Sequence, residues 1–209
     1  MDTFHPLTLI PKLHDTKHIN KDFKIIVLKG FPGLWTHTNL FKWLKENKLD
    51  ASIFHFGLQT RKVDFYVNHL EKEIAKTHGN KKIILLGFSM GGLIAVQYAK
   101  NHNWKNIEKI ITFATPFKGS KKASVYKFFG ATYDMSPNSS FLKDIQKMKV
   151  PDNKLICVSG KTDDLVDNSG TFLQGSRHVI LNVDGHTNAQ LLKNIKPVLE
   201  QELLKYKTK

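Results

Sequence analysis

A layered α/β fold with a mostly parallel central sheet is the class this sequence predicts, on three observations. Short apolar runs alternate with longer amphipathic runs along nearly the whole chain, the pattern of strands joined by crossover helices. One run, 82–86 (KIILL), is apolar enough for a strand buried on both faces, as a parallel sheet between helical layers requires. The length, 209 residues, suits one domain over 1–209 with a sizeable core and is too short for two ordinary ones.

The elements follow in order. Phe23–Leu28 (FKIIVL) reads as a strand stopped by the turn residues Gly30, Pro32 and Gly33. Residues 38–48 follow with Leu40, Phe41 and Leu44 at helical spacing, and 51–56 (ASIFHF) reads as a second strand. Val63, Val67, Leu70 and Ile74 share one face of a helix over Val63–Thr77. The 82–86 strand leads to a helix over 93–100, and Ile107–Phe113 is again strand-like. Residues 155–158 and 178–183 give two more strands, and a helix over about 189–204 closes the sheet. The stretch 117–150 breaks this rhythm and contains Gly119, Gly130 and a Ser136–Pro137–Asn138 turn. A connection of that length predicts a cap or lid-like insertion.

Hydrophobic residues at 41% and charged residues at 24% exclude a disordered or fibrous chain. Lys+Arg 32 against Asp+Glu 18 leaves a formal charge of +14, which favours acidic partners. The lysines are spread singly or in pairs along the chain, and the only arginines are Arg61 and Arg177. With no dense basic tract, zinc-finger spacing or RNP-like motif, this is a solvated lysine-rich surface rather than a specific nucleic-acid reader. A single cysteine, Cys157, excludes an internal disulfide framework and a cysteine-held zinc. No signal-peptide pattern and no membrane-length apolar run occur, so the expected location is cytoplasmic.

The chemistry is concentrated at Gly87–Phe88–Ser89–Met90–Gly91, a G-x-S-x-G pattern followed by Gly92. An apolar strand runs into it and a run of small and apolar residues leaves it, the setting that puts a serine on a sharp elbow above the sheet. The competing reading is a plain glycine turn with a solvent-facing serine. A serine nucleophile requires a general base that is itself oriented by a carboxylate. Candidates for both lie after the last two strands, in Ser159–Gly160–Lys161–Thr162–Asp163–Asp164–Leu165–Val166 and in Asp184–Gly185–His186. The ends of strands are where open α/β sheets place such groups.

Taken together, GFSMGG, GKTDDLV and the late DGH resemble the α/β-hydrolase superfamily, and more narrowly bacterial-type lipases and esterases. Two further stretches, Thr115–Pro116–Phe117–Lys118–Gly119–Ser120 and Met135–Ser136–Pro137–Asn138–Ser139–Ser140–Phe141–Leu142, are similar to T-P-H-x-G-S and M-S-P-x-S-x-F-L segments of many lipases. The resemblance covers about residue 23 to the C-terminus. It implies a three-layer α/β-hydrolase fold, with Ser89 as nucleophile, Asp163 as orienting acid and His186 as base. Asp164 is the immediate rival to Asp163, and Asp184 is another; Asp167 suits an N-cap position. Nine other histidines, His5, His14, His18, His37, His55, His69, His78, His102 and His178, compete with His186. Among these, His178 belongs to the start of the last strand and His55 to a packed position.

The same resemblance assigns the oxyanion donors to the backbone N–H groups of Phe31 and Met90. Two departures from the family pattern stand out, Lys29 before Gly30 where histidine is usual and Phe117 where histidine is frequent. Val125, Phe128 and Phe129 stand at i, i+3 and i+4 among lysines. They read either as a core helix with snorkelling lysines or as a cap in which Phe117, Phe128 and Phe129 line an acyl pocket and touch an anionic membrane surface. The expected activity is hydrolysis of small-molecule or lipid carboxylic esters through an acyl-enzyme, with no metal or organic cofactor. Acyl transfer, thioester or amide cleavage would use the same triad, and a non-catalytic binding module is the rival from another class.

Overall fold

The computed structural model describes residues 12–33, 37–57, 59–77, 79–123 and 129–208. Seven strands form one sheet: β1 (Lys12–Asp15), β2 (Phe23–Leu28), β3 (Ala51–His55), β4 (Lys82–Phe88), β5 (Ile107–Phe113), β6 (Leu155–Ser159) and β7 (Arg177–Ile180). Their order across the sheet is β1-β3-β2-β4-β5-β6-β7. Only β1 is antiparallel to its neighbour; all other pairs are parallel. The helices are α1 (Thr38–Glu46), α2 (Val63–Thr77), α3 (Met90–Asn101), α4 (Gly130–Asp134), α5 (Ser140–Gln146) and α6 (Leu192–Leu203).

Strand alternation builds two cores from one sheet. Ile26, Leu28, Ile83, Leu85, Ile110 and Leu155 face α2 and α3, with Leu142 and Ile145 of α5 joining that layer. Ile25, Val27, Ile84, Leu86, Ile111 and Ile156 face α1 and α6. Successive side chains of a strand point to opposite faces, so an unbroken apolar run such as β4 feeds both layers. Every residue of β4 after Lys82 is buried.

Three elements, β2, α2 and β5, have the bounds read from the sequence. Others shift for identifiable reasons. β4 continues through Gly87 and Phe88, which pair with Thr112 and Phe113 of β5, so the glycine belongs to the strand and the turn comes after it. α3 starts at Met90 and includes Gly91 and Gly92, whose poor helix propensity had pointed to a later start. The closing helix begins at Leu192, because a separate 3-10 turn, Asn188–Gln190, ends at an extended Leu191. The short edge strand β1 was not expected.

The chain runs from β2 to β3 on one side of β2, then crosses back to place β4 on the other. The ends of β2 and β4 therefore border a topological switch point, where open α/β sheets leave a crevice.

Candidate active site

Ser89 occupies the single residue between β4 and α3, with φ 50° and ψ −120°, a backbone conformation a side-chain-bearing residue seldom adopts. Two glycines make this turn sterically feasible. A Cβ on Gly87 would fall on the backbone of Gly92, and one on Gly91 would fall on the Leu28 carbonyl. Ser89 N–H donates to the Phe113 carbonyl over 2.8 Å, and the Ser89 carbonyl accepts from Thr115 Oγ1 over 3.0 Å. The elbow is thus tied to β5 and to the loop that follows it.

His186 and Asp163 come to this elbow from loops after β7 and β6. His186 Nε2 lies 3.0 Å from Ser89 Oγ, and His186 Nδ1 lies 2.7 Å from Asp163 Oδ2. One tautomer satisfies both contacts, with Nδ1–H donating to the carboxylate and Nε2 accepting from the hydroxyl. The Asp163 side chain is fully buried, and its other oxygen accepts from the N–H groups of Leu165 and Val166 over 2.8 and 2.9 Å. Fixed donors of this kind hold a carboxylate in one orientation. The two loops are joined to each other, since Gly185 N–H donates to the Thr162 carbonyl over 3.0 Å.

The rival residues have other partners. Asp164 is exposed; its Oδ1 accepts from the His186 backbone N–H over 3.0 Å, and its Oδ2 lies 3.6 Å from Lys122 Nζ. That backbone hydrogen bond, first among its causes, lowers the Asp164 pKa. Asp167 turns back on Ser169 ahead of the 3-10 turn Asn168–Gly170, and Asp184 accepts from Thr162 Oγ1. His178 Nε2 contacts Ser159 Oγ at 3.1 Å and its ring stacks on Phe172, with burial lowering its pKa. His37 lies against the Phe88 ring, 4.3 Å between centroids. His5 and His78 lie outside the described residues.

Loop 29–33 passes directly over the serine: a Cβ on Gly30 would sit 2.9 Å from Ser89 Cβ. Phe31 follows it and shares a cavity with Ser89 and His186, while Met90 is fully buried at the first position of α3. Gln59, which sequence reasoning missed, holds this loop on both sides of Phe31. Its Nε2 donates to the Lys29 carbonyl over 3.2 Å and its backbone N–H donates to the Pro32 carbonyl over 3.1 Å. Gln59 is fully buried, and no motif marks a residue that acts through a contact 30 positions away.

Lys29 is buried beneath the same loop, with Nζ 3.5 Å from the Gly33 carbonyl. Burial lowers its pKa from an ordinary 10.5 to about 8. The unfolded chain therefore binds more protons between about pH 8 and 10.5, so this group makes stability rise with pH across that window. Lys29→Met is expected to raise the melting temperature at pH 7 by a few degrees and to flatten the alkaline rise. Thermal melts from pH 7 to 10.5 check both.

The cavity has a volume of about 970 Å³ and stands over the C-terminal ends of the strands. The stretch 117–150 supplies Ser120, Lys122, Ala123, Thr132 and Met135 to its wall. Of the three aromatics expected there, neither Phe117 nor Phe129 lines it. Phe117 is fully buried in the core beneath α2 and α3; a tight turn, with its N–H donating to the Thr115 carbonyl, puts Pro116 rather than Phe117 on the cavity wall. Phe129 is 42% exposed at the start of α4 and is not part of the lining. Phe128 and Val125 lie outside the described residues. Among the described residues, no three metal-ligating side chains lie together in a way that could hold a metal ion, and no helix is long and apolar enough to cross a membrane.

Comparison with known proteins gives one family: the sequence model described as PGAP1-like alpha/beta domain matches residues 48–187. No curated protein matches the chain. Among solved structures, the mature lipase BlEst2 of Bacillus licheniformis superposes with a TM-score of 0.67 at 15% identity, over 92% of this chain and 98% of that one. The monoacylglycerol lipase of Paleococcus ferrophilus gives 0.63 at 12% identity, over 96% and 98%. An alpha-beta serine hydrolase homologue from Coxiella burnetii gives 0.61 at 17% identity, over 92% and 90%. These likenesses are of fold, and they match the doubly covered, mostly parallel sheet described above.

Proposed function

Because the chain belongs to the PGAP1-like alpha/beta domain family and has the α/β-hydrolase fold, we propose that it is a serine hydrolase that cleaves carboxylic esters. The observation that carries this reading is the continuous hydrogen-bonded line from Ser89 through His186 to Asp163. In the proposed reaction, Ser89 Oγ attacks the ester carbonyl as its proton passes to His186 Nε2. Asp163 stabilises the imidazolium through Nδ1–H without taking the proton. The carbonyl oxygen becomes an oxyanion held by the N–H groups of Phe31 and Met90, the latter aided by the N-terminal end of the α3 dipole. His186 then protonates the departing alkoxide and leaves an acyl ester on Ser89. Water, deprotonated by the same imidazole, releases the acid and restores the serine.

A series of p-nitrophenyl esters of increasing acyl length tests this reading. Turnover of at least the shorter esters is expected, and its loss in Ser89→Ala. An absence of turnover across the series would leave a binding module.

The loop brace gives a second, independent check. Gln59→Met keeps the side-chain volume and the backbone hydrogen bond but removes the donor to Lys29. It is expected to lower kcat by about 10- to 100-fold, less than the roughly 100- to 1000-fold cost of removing one oxyanion donor outright, with KM nearly unchanged. A rise in KM at constant kcat would instead make Gln59 part of ground-state binding.

A further inference from the structure

The stretch Thr115–Pro116–Phe117–Lys118–Gly119–Ser120 supplies no group to the proposed reaction, yet its last residue is buried and held from two sides. The Ser120 backbone N–H donates to the Met135 carbonyl over 2.9 Å, and Ser120 Oγ accepts from the Ala123 N–H over 3.3 Å. The turn before it needs Gly119, which has φ 92° and lies so close to Pro137 that a Cβ would stand 2.7 Å from the proline nitrogen. The hydroxyl proton of Ser120 is donated to the Leu165 carbonyl, with 2.6 Å between the two oxygens.

That carbonyl belongs to the loop of the orienting acid. The N–H groups of Leu165 and Val166, both on Oδ1, keep the Asp163 carboxylate turned toward His186. The Val166 N–H and the Leu165 carbonyl are two ends of one peptide group. A peptide group is planar and turns as a unit, so a donor that fixes its oxygen also fixes its N–H. Hydrogen bonds at its two ends also polarise one another. The line therefore runs from Ser120 Oγ through one peptide group to Asp163, His186 and Ser89. Two other contacts join this segment to the acid loop, and neither ends on a group that holds Asp163. Lys118 N–H donates to the Gly170 carbonyl over 3.1 Å, and Lys122 Nζ lies 3.6 Å from Asp164 with both side chains exposed, a pair that adds little.

We infer that Ser120 is a positioning residue of the triad: its hydroxyl, acting through the peptide group between Leu165 and Val166, sets the direction of the Asp163 carboxylate. This rests on the triad chemistry proposed above and extends it by one residue.

A double-mutant cycle tests it, read as the rate at which a fluorophosphonate phosphonylates Ser89, followed by mass spectrometry on the full chain. Ser120→Ala is made in wild type and in Asp163→Ala. Removing the hydroxyl is expected to slow labelling about tenfold in wild type, less than the roughly 100-fold that a 1 Å misplacement can cost. Once the carboxylate is gone, the same change is expected to slow it less than about twofold. On p-nitrophenyl butyrate the Ser120→Ala loss falls on kcat, with KM nearly unchanged.

Slowing by the same factor in both backgrounds would make Ser120 a packing residue and overturn the inference. Unchanged labelling in wild type, or a rise in KM at constant kcat, would overturn it too. A thermal melt shows whether each variant is folded at the assay temperature. If Ser120→Ala is not, Ser120→Cys, close in volume and a much weaker donor, takes its place in the cycle under the same criteria. Wild type that is labelled but cleaves no ester removes the ester reading alone, because labelling still reads the cycle. Wild type that is not labelled removes both.

Discussion

Ser89→Ala and His186→Ala are each expected to lower kcat/KM for a short-chain p-nitrophenyl ester by about 10⁴-fold or more, and the double variant is expected to lose little beyond that. The reason is the geometry at the elbow. The hydroxyl is 3.0 Å from Nε2, which is in place to accept its proton. Without the imidazole the serine has no proton acceptor; without the serine the imidazole has nothing to activate but water. Residues that act as one unit lose their function together, so their effects do not multiply. Additive losses in the double variant would mean two separable roles and would contradict a shared proton path.

Asp163→Asn is expected to cost about 10³- to 10⁴-fold in kcat, and Asp164→Asn less than about tenfold. The two residues are neighbours but are held differently. Asp163 is buried and meets Nδ1 at 2.7 Å. An amide there presents N–H₂ or a neutral oxygen to the ring, favours the wrong tautomer and gives up the charge that stabilises the imidazolium. Asp164 receives the His186 backbone N–H on one oxygen, a bond that asparagine can keep. Equal losses at the two positions would contradict the assignment of Asp163 as the orienting acid.

Much of this site was legible in the sequence because its requirements are local. Gly87, Ser89 and Gly91 occur together because a single turn must bring a strand end, a strained residue and a helix start into contact with Leu28. The order of Ser89, Asp163 and His186 follows from strand order, since each lies just beyond a strand end. The choice between Asp163 and Asp164 stayed open in the sequence. It depends on which side chain the turn at 163–166 directs inward, and the N–H groups of Leu165 and Val166 make that selection.

Other features were beyond sequence reasoning for the same reason. Gln59 reaches Lys29 across 30 positions, and Ser120 reaches the Leu165 carbonyl across 45. Phe117 shows the converse. Its place beside a family motif suggested a substrate contact, yet the turn at Thr115 carries its ring into the core. An aromatic residue there is more strongly driven to bury its surface than to line a wet cavity.

Mass spectrometry after treatment with a fluorophosphonate shows whether Ser89 is an activated nucleophile, because the reagent reacts with a hydroxyl that a neighbouring base has activated. One phosphonyl adduct per chain is expected, on the peptide containing Ser89. An unlabelled wild-type chain, or an adduct on any other residue, would contradict it.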